Sequence, residues 1–270
     1  MWIDTHCHLD AREFGDDALG VAARAAQAGV GMIVIPAVAR SNWEAVRALA
    51  AQAGNASYAL GIHPICVPQA TEDDLAALRE AVRVALDDPN FVAIGEVGLD
   101  FFLPALCEPA MREKQVHFFR EQLKIAREFG LPILTHVRKS QDQVLKHVRQ
   151  IPPVGGIAHA FNGSFQQAQG YIDIGFRLGF GGNVTFTRAL QIRRLAEQLP
   201  LSSIVMETDA PDIAPHWLHP GVNTPDQVPR IAQVLADLRG MPLEELQAVT
   251  TANAHHVMPR LRAAGRASGP

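Results

Sequence analysis

Along nearly all of the 270-residue chain, short apolar runs alternate with longer stretches whose apolar positions recur at helical spacing. The apolar runs predict strands. Met32-Ile-Val-Ile-Pro-Ala-Val38 is apolar throughout, the pattern of a strand buried on both faces of a parallel sheet. Further strands are expected at Met1–Asp10, Tyr58–Pro64, Phe91–Asp100, Pro132–Arg138, Gly156–Phe161, the glycine-rich Arg177–Val184, and Ile204–Pro211. Helices are expected between them: Asp17–Ala28 stopped by Gly29, Ser41 (as cap) to Ala53, Thr71 (as cap) to Leu86, Pro109–Phe129 stopped by Gly130, Gln141–Arg149, Ser164 (as cap) to Ile174, and Thr187–Gln198. Two more, Pro225–Leu238 and Leu243–His255, follow a long proline-rich loop. Eight strands alternating with helices imply an α/β fold with a parallel sheet, and this length fits a closed (β/α)8 TIM barrel. An open doubly wound sheet is the alternative. A single domain is expected over residues 1–260, with a tail over 261–270.

Polar residues break the apolar runs in one register. His6, His8, His63, Glu96, His136, His159 and Asp209 all fall at or near predicted C-terminal strand ends. In a barrel those ends form one face, where catalytic groups collect. Along a first strand, Asp4, His6 and His8 would share a face. Four imidazoles and two carboxylates exceed what one ion needs, and they suit two divalent cations sharing a carboxylate. Glu96, midway along the chain, is the expected bridge. His6 and His8 would hold one ion, with Asp209 completing its shell and taking the proton from an attacking water. His136 and His159 would hold the other. Such a site hydrolyses esters or amides. The donor set suits Zn²⁺, Mg²⁺ or Mn²⁺.

His63, at a strand end where convergent polar groups line pockets, is expected either to face the substrate or to be structural, and Arg138 is expected to meet a phosphate, which a guanidinium suits, or to form a rim salt bridge. Asp100 is expected to pair with Arg138 or to orient a ligand histidine. Arg112, Lys114, Arg120, Lys124 and Arg127 share a predicted helix with Glu113, Glu121 and Glu128, and read as a solvated face with spaced ion pairs.

Composition narrows the class. Net charge is −4 and the pI is about 6.2, unlike a basic nucleic-acid-binding domain. Any nucleic acid would be met locally, through bound cations. Three cysteines without close pairing (Cys7, Cys66, Cys107) make no disulfide framework. No basic-then-apolar leader precedes the first run and no run is long enough for a membrane span, so a cytoplasmic location without membrane contact is expected.

Ile3-Asp-Thr-His-Cys-His8, Gly61-Ile-His-Pro64, Gly95-Glu-Val-Gly-Leu-Asp100, His136-Val-Arg138, His159-Ala-Phe-Asn-Gly-Ser164, Glu207-Thr-Asp-Ala-Pro211 and Thr250-Thr-Ala-Asn253 occur in this order over Met1–Met258. In these motifs the chain resembles the TatD family of metal-dependent hydrolases, amidohydrolase-type barrels. The resemblance implies two metals at His6, His8, Glu96, His136, His159 and Asp209. It implies phosphodiester hydrolysis, as a deoxyribonuclease of 3′-to-5′ exonuclease type, with single-stranded DNA or tRNA as partner; no obligate protein partner is expected from the sequence. Removal of D-amino acids from tRNA is the alternative activity, and a non-enzymatic barrel with a vestigial site is the third reading. Where the family often has Asn-Glu-Pro, this chain has Asn223-Thr-Pro225, after a loop carrying His216, Trp217 and His219. These differences bear on the substrate.

Overall fold

A computed structural model describes residues 1–261. Eight parallel strands lie side by side in chain order: β1 (Trp2–Asp4), β2 (Val30–Pro36), β3 (Ala56–Leu60), β4 (Phe91–Asp100), β5 (Ile133–Arg138), β6 (Gly156–Ala158), β7 (Phe176–Phe180) and β8 (Ile204–Met206). Helices follow the strands: α1 (Ala18–Gln27), α2 (Trp43–Ala53), α3 (Glu72–Ala85), α4 (Pro109–Glu128), α5 (Gln141–Gln150), α6 (Phe165–Ile172), α7 (Leu190–Gln198), α8 (Val228–Arg239) and α9 (Leu243–Val257). The fold is a nearly closed (β/α)8 barrel, as the alternation predicts. Leu261 is buried, and the remainder of the tail expected over 261–270 lies outside the described residues. Among the described residues, no helix is long and apolar enough to cross a membrane.

The apolar runs divide their side chains as period two requires. Met32 and Val34 of β2 join Ile3, Ala59, Val92, Leu134, Ile157 and Val205 in one cluster, which also takes in Ala254, Val257 and Met258 at the end of α9. The alternate residues Ile33 and Ile35 belong to a second cluster with Val46 and Ala50 of α2. Both faces of the sheet are therefore apolar.

Several element ends differ from the sequence reading. β1 stops at Asp4, so His6 and His8 lie beyond the strand. Asp4 does not face them. Its carboxylate accepts hydrogen bonds from the His6 and Thr208 backbone amides at 3.2 and 2.9 Å. The Thr208 hydroxyl donates to it as well. Burial pushes the Asp4 pKa up to about 8 against these bonds. The chain closes the barrel here through backbone bonds from Thr5 to Met206 (3.0 Å), Asp209 to His6 (2.8 Å) and His8 to Ala210 (2.8 Å). Residues roughly 200 positions apart are thus joined where both carry polar side chains.

Ser41 does not cap α2. Its N-cap is Asn42, whose side-chain oxygen instead accepts from the Val38 and Ala39 amides (both 3.1 Å). Ser164 does cap α6, accepting from Gln167 N at 3.1 Å while Gln167 Oε1 accepts from Ser164 N at 2.9 Å.

At Gly98 the β4 backbone sits against β5. Its φ is 151°, and a Cβ there would lie 2.0 Å from His136 O. Gly98→Ala should therefore cost about 3 kcal/mol, combining overpacking with backbone strain. A thermal melt unchanged from the parent would contradict this close approach.

Candidate metal centre

Glu96 lies in the middle of β4, where the β4–β5 register is interrupted between Ile94 and Val97. Its side chain is almost fully buried. The two carboxylate oxygens face different partners. Oε2 is 3.1 Å from His6 Nε2 and 3.3 Å from His8 Nε2. Oε1 is 3.0 Å from His136 Nδ1 and 3.4 Å from His63 Nε2. Asp209 closes the first group, its Oδ1 lying 3.6 Å from His6 Nε2, 3.7 Å from His8 Nε2 and 3.5 Å from His159 Nε2. The other five residues expected as ligands therefore gather at Glu96, Asp209 doing so through His6, His8 and His159.

The rings contact one another in pairs that do not follow the expected sharing of ions. His159 does not pair with His136. Its ring stacks on His6 with centroids 3.7 Å apart and its Nε2 is directed at Asp209. His136 instead sits with His63, Nδ1 to Nε2 at 3.0 Å. The cause is what holds each ring. Glu207 Oε1 lies 3.1 Å from His159 Nδ1 and also accepts from the Ala160 amide. Asp100 Oδ2 lies 3.1 Å from His136 Nε2. Each carboxylate takes the N–H of one ring nitrogen and leaves the other nitrogen's lone pair directed at the centre. Asp100 thus orients His136 and forms no ion pair with Arg138. Glu207 stands in one of the TatD-like motifs, but no role for it was legible in the sequence. Its position two residues before Asp209 was the available signal.

His63 is oriented in the opposite sense. Its Nδ1 accepts from the Ile65 amide at 3.0 Å, so the neutral ring carries its proton on Nε2. It meets Glu96 and His136 as a donor. Arg138 ends β5, exposed, and its guanidinium lies over the Phe102 ring at 3.8 Å. Arg138, His136, His159, Asp209, Asn162, Asn183 and Asp212 line a cavity of about 400 Å³ that opens over the centre. His216 and His219 pack edge-on to Phe186, with centroids 6.3 and 5.7 Å away.

The donor set fits divalent cations. Without them, two carboxylates face a crowd of ring nitrogens, and protons must supply the positive charge. Burial opposes charge on His8 and His159. The carboxylates outweigh it, Glu96 chiefly at His8 and Asp209 and Glu207 at His159, and raise these rings to about 9 and about 10. Burial holds His6 and His63 below the ordinary value. Burial also works against ionised Glu96, yet the surrounding histidines keep it well below the usual range. Among the described residues, three clusters have donor atoms close enough to share an ion: His6/His8/Asp209, His6/Glu96/His159 and His63/Glu96/His136. Cations binding there would displace the protons on His8 and His159.

Glu207→Gln should lower metal affinity by about 10–100-fold, the usual cost of losing a carboxylate behind a ligand histidine. Titration with Zn²⁺ against a chelating indicator reads this. An unchanged affinity would mean that His159 needs no orienting partner.

Comparison with known proteins finds metal-dependent hydrolases. The family model described as "TatD related DNase" matches residues 3–259. The uncharacterized metal-dependent hydrolase YjjV of Escherichia coli K12 is 37% identical over 246 residues, spanning 91% of this chain and 93% of that protein. An uncharacterized metal-dependent hydrolase of Haemophilus influenzae is 34% identical over 257 residues, spanning 94% and 97%. The crystal structure of YjjV, a TatD homolog, superposes with a TM-score of 0.89 at 35% identity, covering 96% of this chain and 98% of that one.

Proposed function

The chain belongs to the TatD family of metal-dependent hydrolases, and from that premise we propose that it hydrolyses phosphodiester bonds of nucleic acid, as a deoxyribonuclease acting from a 3′ end. The observation that carries the reading is the division of Glu96, whose two oxygens each face a separate group of imidazoles. Two divalent cations would be held there. His6, His8 and Asp209 would serve on the Oε2 side, with His159 reaching the same carboxylates from beside His6. His136 would serve on the Oε1 side. When bound, such ions lower the pKa of water and draw charge from a phosphoryl oxygen.

The chain's own groups supply the remaining chemistry. Asp209 Oδ1 accepts the proton of the attacking water. Arg138, at the rim of the cavity, pairs with non-bridging phosphate oxygens. With cations on Glu96 and His136, the His63 Nε2–H that faces those two groups here would be released from them and free to donate to the phosphate. Water adds to phosphorus, the ester P–O bond breaks, and the leaving oxygen takes a proton from solvent at the open mouth.

An ester or amide hydrolase, including a D-aminoacyl-tRNA deacylase, is the second reading. It is favoured by the cavity lining, which sets Asp209 and Asp212 against the single guanidinium of Arg138. The deciding measurement is 3′-exonuclease activity on labelled single-stranded DNA after chelation, with Mg²⁺, Mn²⁺ or Zn²⁺ restored. Recovery with metal is the expected result. Silence with every metal, while a small ester or D-aminoacyl-tRNA is turned over, would replace the nuclease reading with the second.

A further inference from the structure

Beside the metal centre, on the far side of Lys139, lies an open groove of about 870 Å³ between α4 and the start of α5. That volume lies within the usual range of ligand clefts, about 300–1,000 Å³. Arg112 and Arg120 of α4 line it together with Lys139. The sequence pattern reads the charges of α4 as a face of ion pairs, and part of the helix does behave so. Lys124 pairs with Glu121 at 2.5 Å, and Glu128 with Arg79 at 3.1 Å. Arg112, Arg120, Arg138 and Lys139 differ, since none makes a salt bridge among the described residues. Arg112 lies over the Phe101 ring and donates to a backbone carbonyl, and Arg120 contacts His147 and Gln150.

Phe102 marks the boundary between groove and metal centre. It is 44% exposed, far more than a phenylalanine with a packing role requires. Both Arg138, from the metal-centre cavity, and Lys139, from the groove, lie over its ring, at 3.8 and 4.8 Å. Gln141 gives an independent sign of a missing occupant. It lines the groove with 9% exposure, and its buried Oε1 has no hydrogen-bond partner. Two carboxylates, Glu113 and Asp142, also line the groove, and Asp142 is held by Gln167 at 2.9 Å. Arg112, Arg120 and Lys139 still outnumber these two carboxylates. Lys139 is three residues from His136, at most about 11 Å of chain. One strand can reach both places.

We infer that this groove carries the 5′-ward part of a single nucleic-acid strand whose 3′ end is in the metal centre. A base takes the place of Lys139 over the Phe102 ring, and phosphates further along meet the displaced Lys139, Arg112 and Arg120. The chemistry is that of single-strand binding in general, a cationic track with an exposed aromatic ring that accepts any base. It also gives a chain of net charge −4 a local means of holding a polyanion. The inference rests on the nuclease reading above and adds the path of its substrate.

The test compares a 12-nucleotide single strand with a dinucleotide too short to enter the groove. Both are assayed with the metal-loaded parent, Phe102→Ala, and the double variant Arg112→Gln/Lys139→Gln. All three side chains are exposed, so the variants should fold. Dinucleotide turnover provides the check on that. For the 12-mer, KM should rise about tenfold in Phe102→Ala, within the roughly 5–150-fold that one stacked base represents. The double variant should raise KM similarly with kcat held. It should also flatten the dependence of log(kcat/KM) on log salt by about 1.4, from two lost phosphate contacts at ~0.7 each. A parent that prefers the 12-mer no more than the dinucleotide, or variants that match the parent on both, would overturn the groove while leaving the nuclease standing. A parent that cleaves neither strand would overturn both together.

Discussion

Glu96→Ala should abolish hydrolysis of every substrate, by about a thousandfold or more, and reduce bound metal in the same preparation. A cation at such a site supplies several kcal/mol of stabilisation to the transition state. At ~1.4 kcal/mol per factor of ten, about 4 kcal/mol is a thousandfold. Glu96 carries more of this than any single histidine because its two oxygens face both groups, 3.1 Å from His6 on one side and 3.0 Å from His136 on the other. Removing one imidazole leaves the carboxylate in place, whereas removing the carboxylate leaves five histidines with mutual repulsion and no bridging anion. Glu96→Gln is the sharper form of the test. It keeps the volume and one carbonyl oxygen but presents an amide N–H₂ to one of the two groups, so it too should lose activity. Metal content by emission spectroscopy and a far-UV spectrum separate loss of metal from loss of fold. A Glu96→Ala protein that retains two equivalents of metal and its activity would remove the bridge from the mechanism.

Why Glu96 was legible in the sequence, while the arrangement around it was not, follows from what periodicity encodes. A carboxylate inside Phe91-Val-Ala-Ile-Gly-Glu-Val97 has no apolar reason to be there, and histidines recur at the ends of other apolar runs. The alternation of runs fixes the barrel, and the barrel fixes that those ends share a face. Side-chain direction beyond a strand end is a different matter. β1, β6 and β8 are three residues each, and the segments after β6 and β8 leave extended geometry: Ala160 has φ of 44° and Asp209 of 58°. Period two does not apply there, which is why His159 turns to Asp209, and because β1 already ends at Asp4, His6 and His8 do not continue the face on which Asp4 meets Thr208. Glu207 and His63 were obscured for a related reason. Their roles depend on which ring nitrogen holds the proton, set by a single contact each: Glu207 with His159 Nδ1, and the Ile65 amide with His63 Nδ1.

Asp209→Asn should lower kcat by about two to three orders of magnitude while most of the metal stays bound. The side chain is the most exposed carboxylate at the centre, 14% accessible against 2% for Glu96, and it lines the cavity that opens over the site. A group that takes a proton from water needs that access, whereas a bridging ligand does not. Asparagine preserves the shape. It also tolerates the left-handed backbone at this position better than alanine does. What it loses is the ability to accept a proton, a contribution of about 10²–10⁴ for a positioned general base. His6, His8 and Glu96 Oε2 remain to hold a cation on that side, so the expected signature is depressed kcat with near-parental metal content. This is the opposite of the Glu96 variants, where metal and activity fall together. Were Asp209→Asn to shed its metal as Glu96→Ala does, Asp209 would be a ligand before it is a base, and the proton of the attacking water would have to leave through another group.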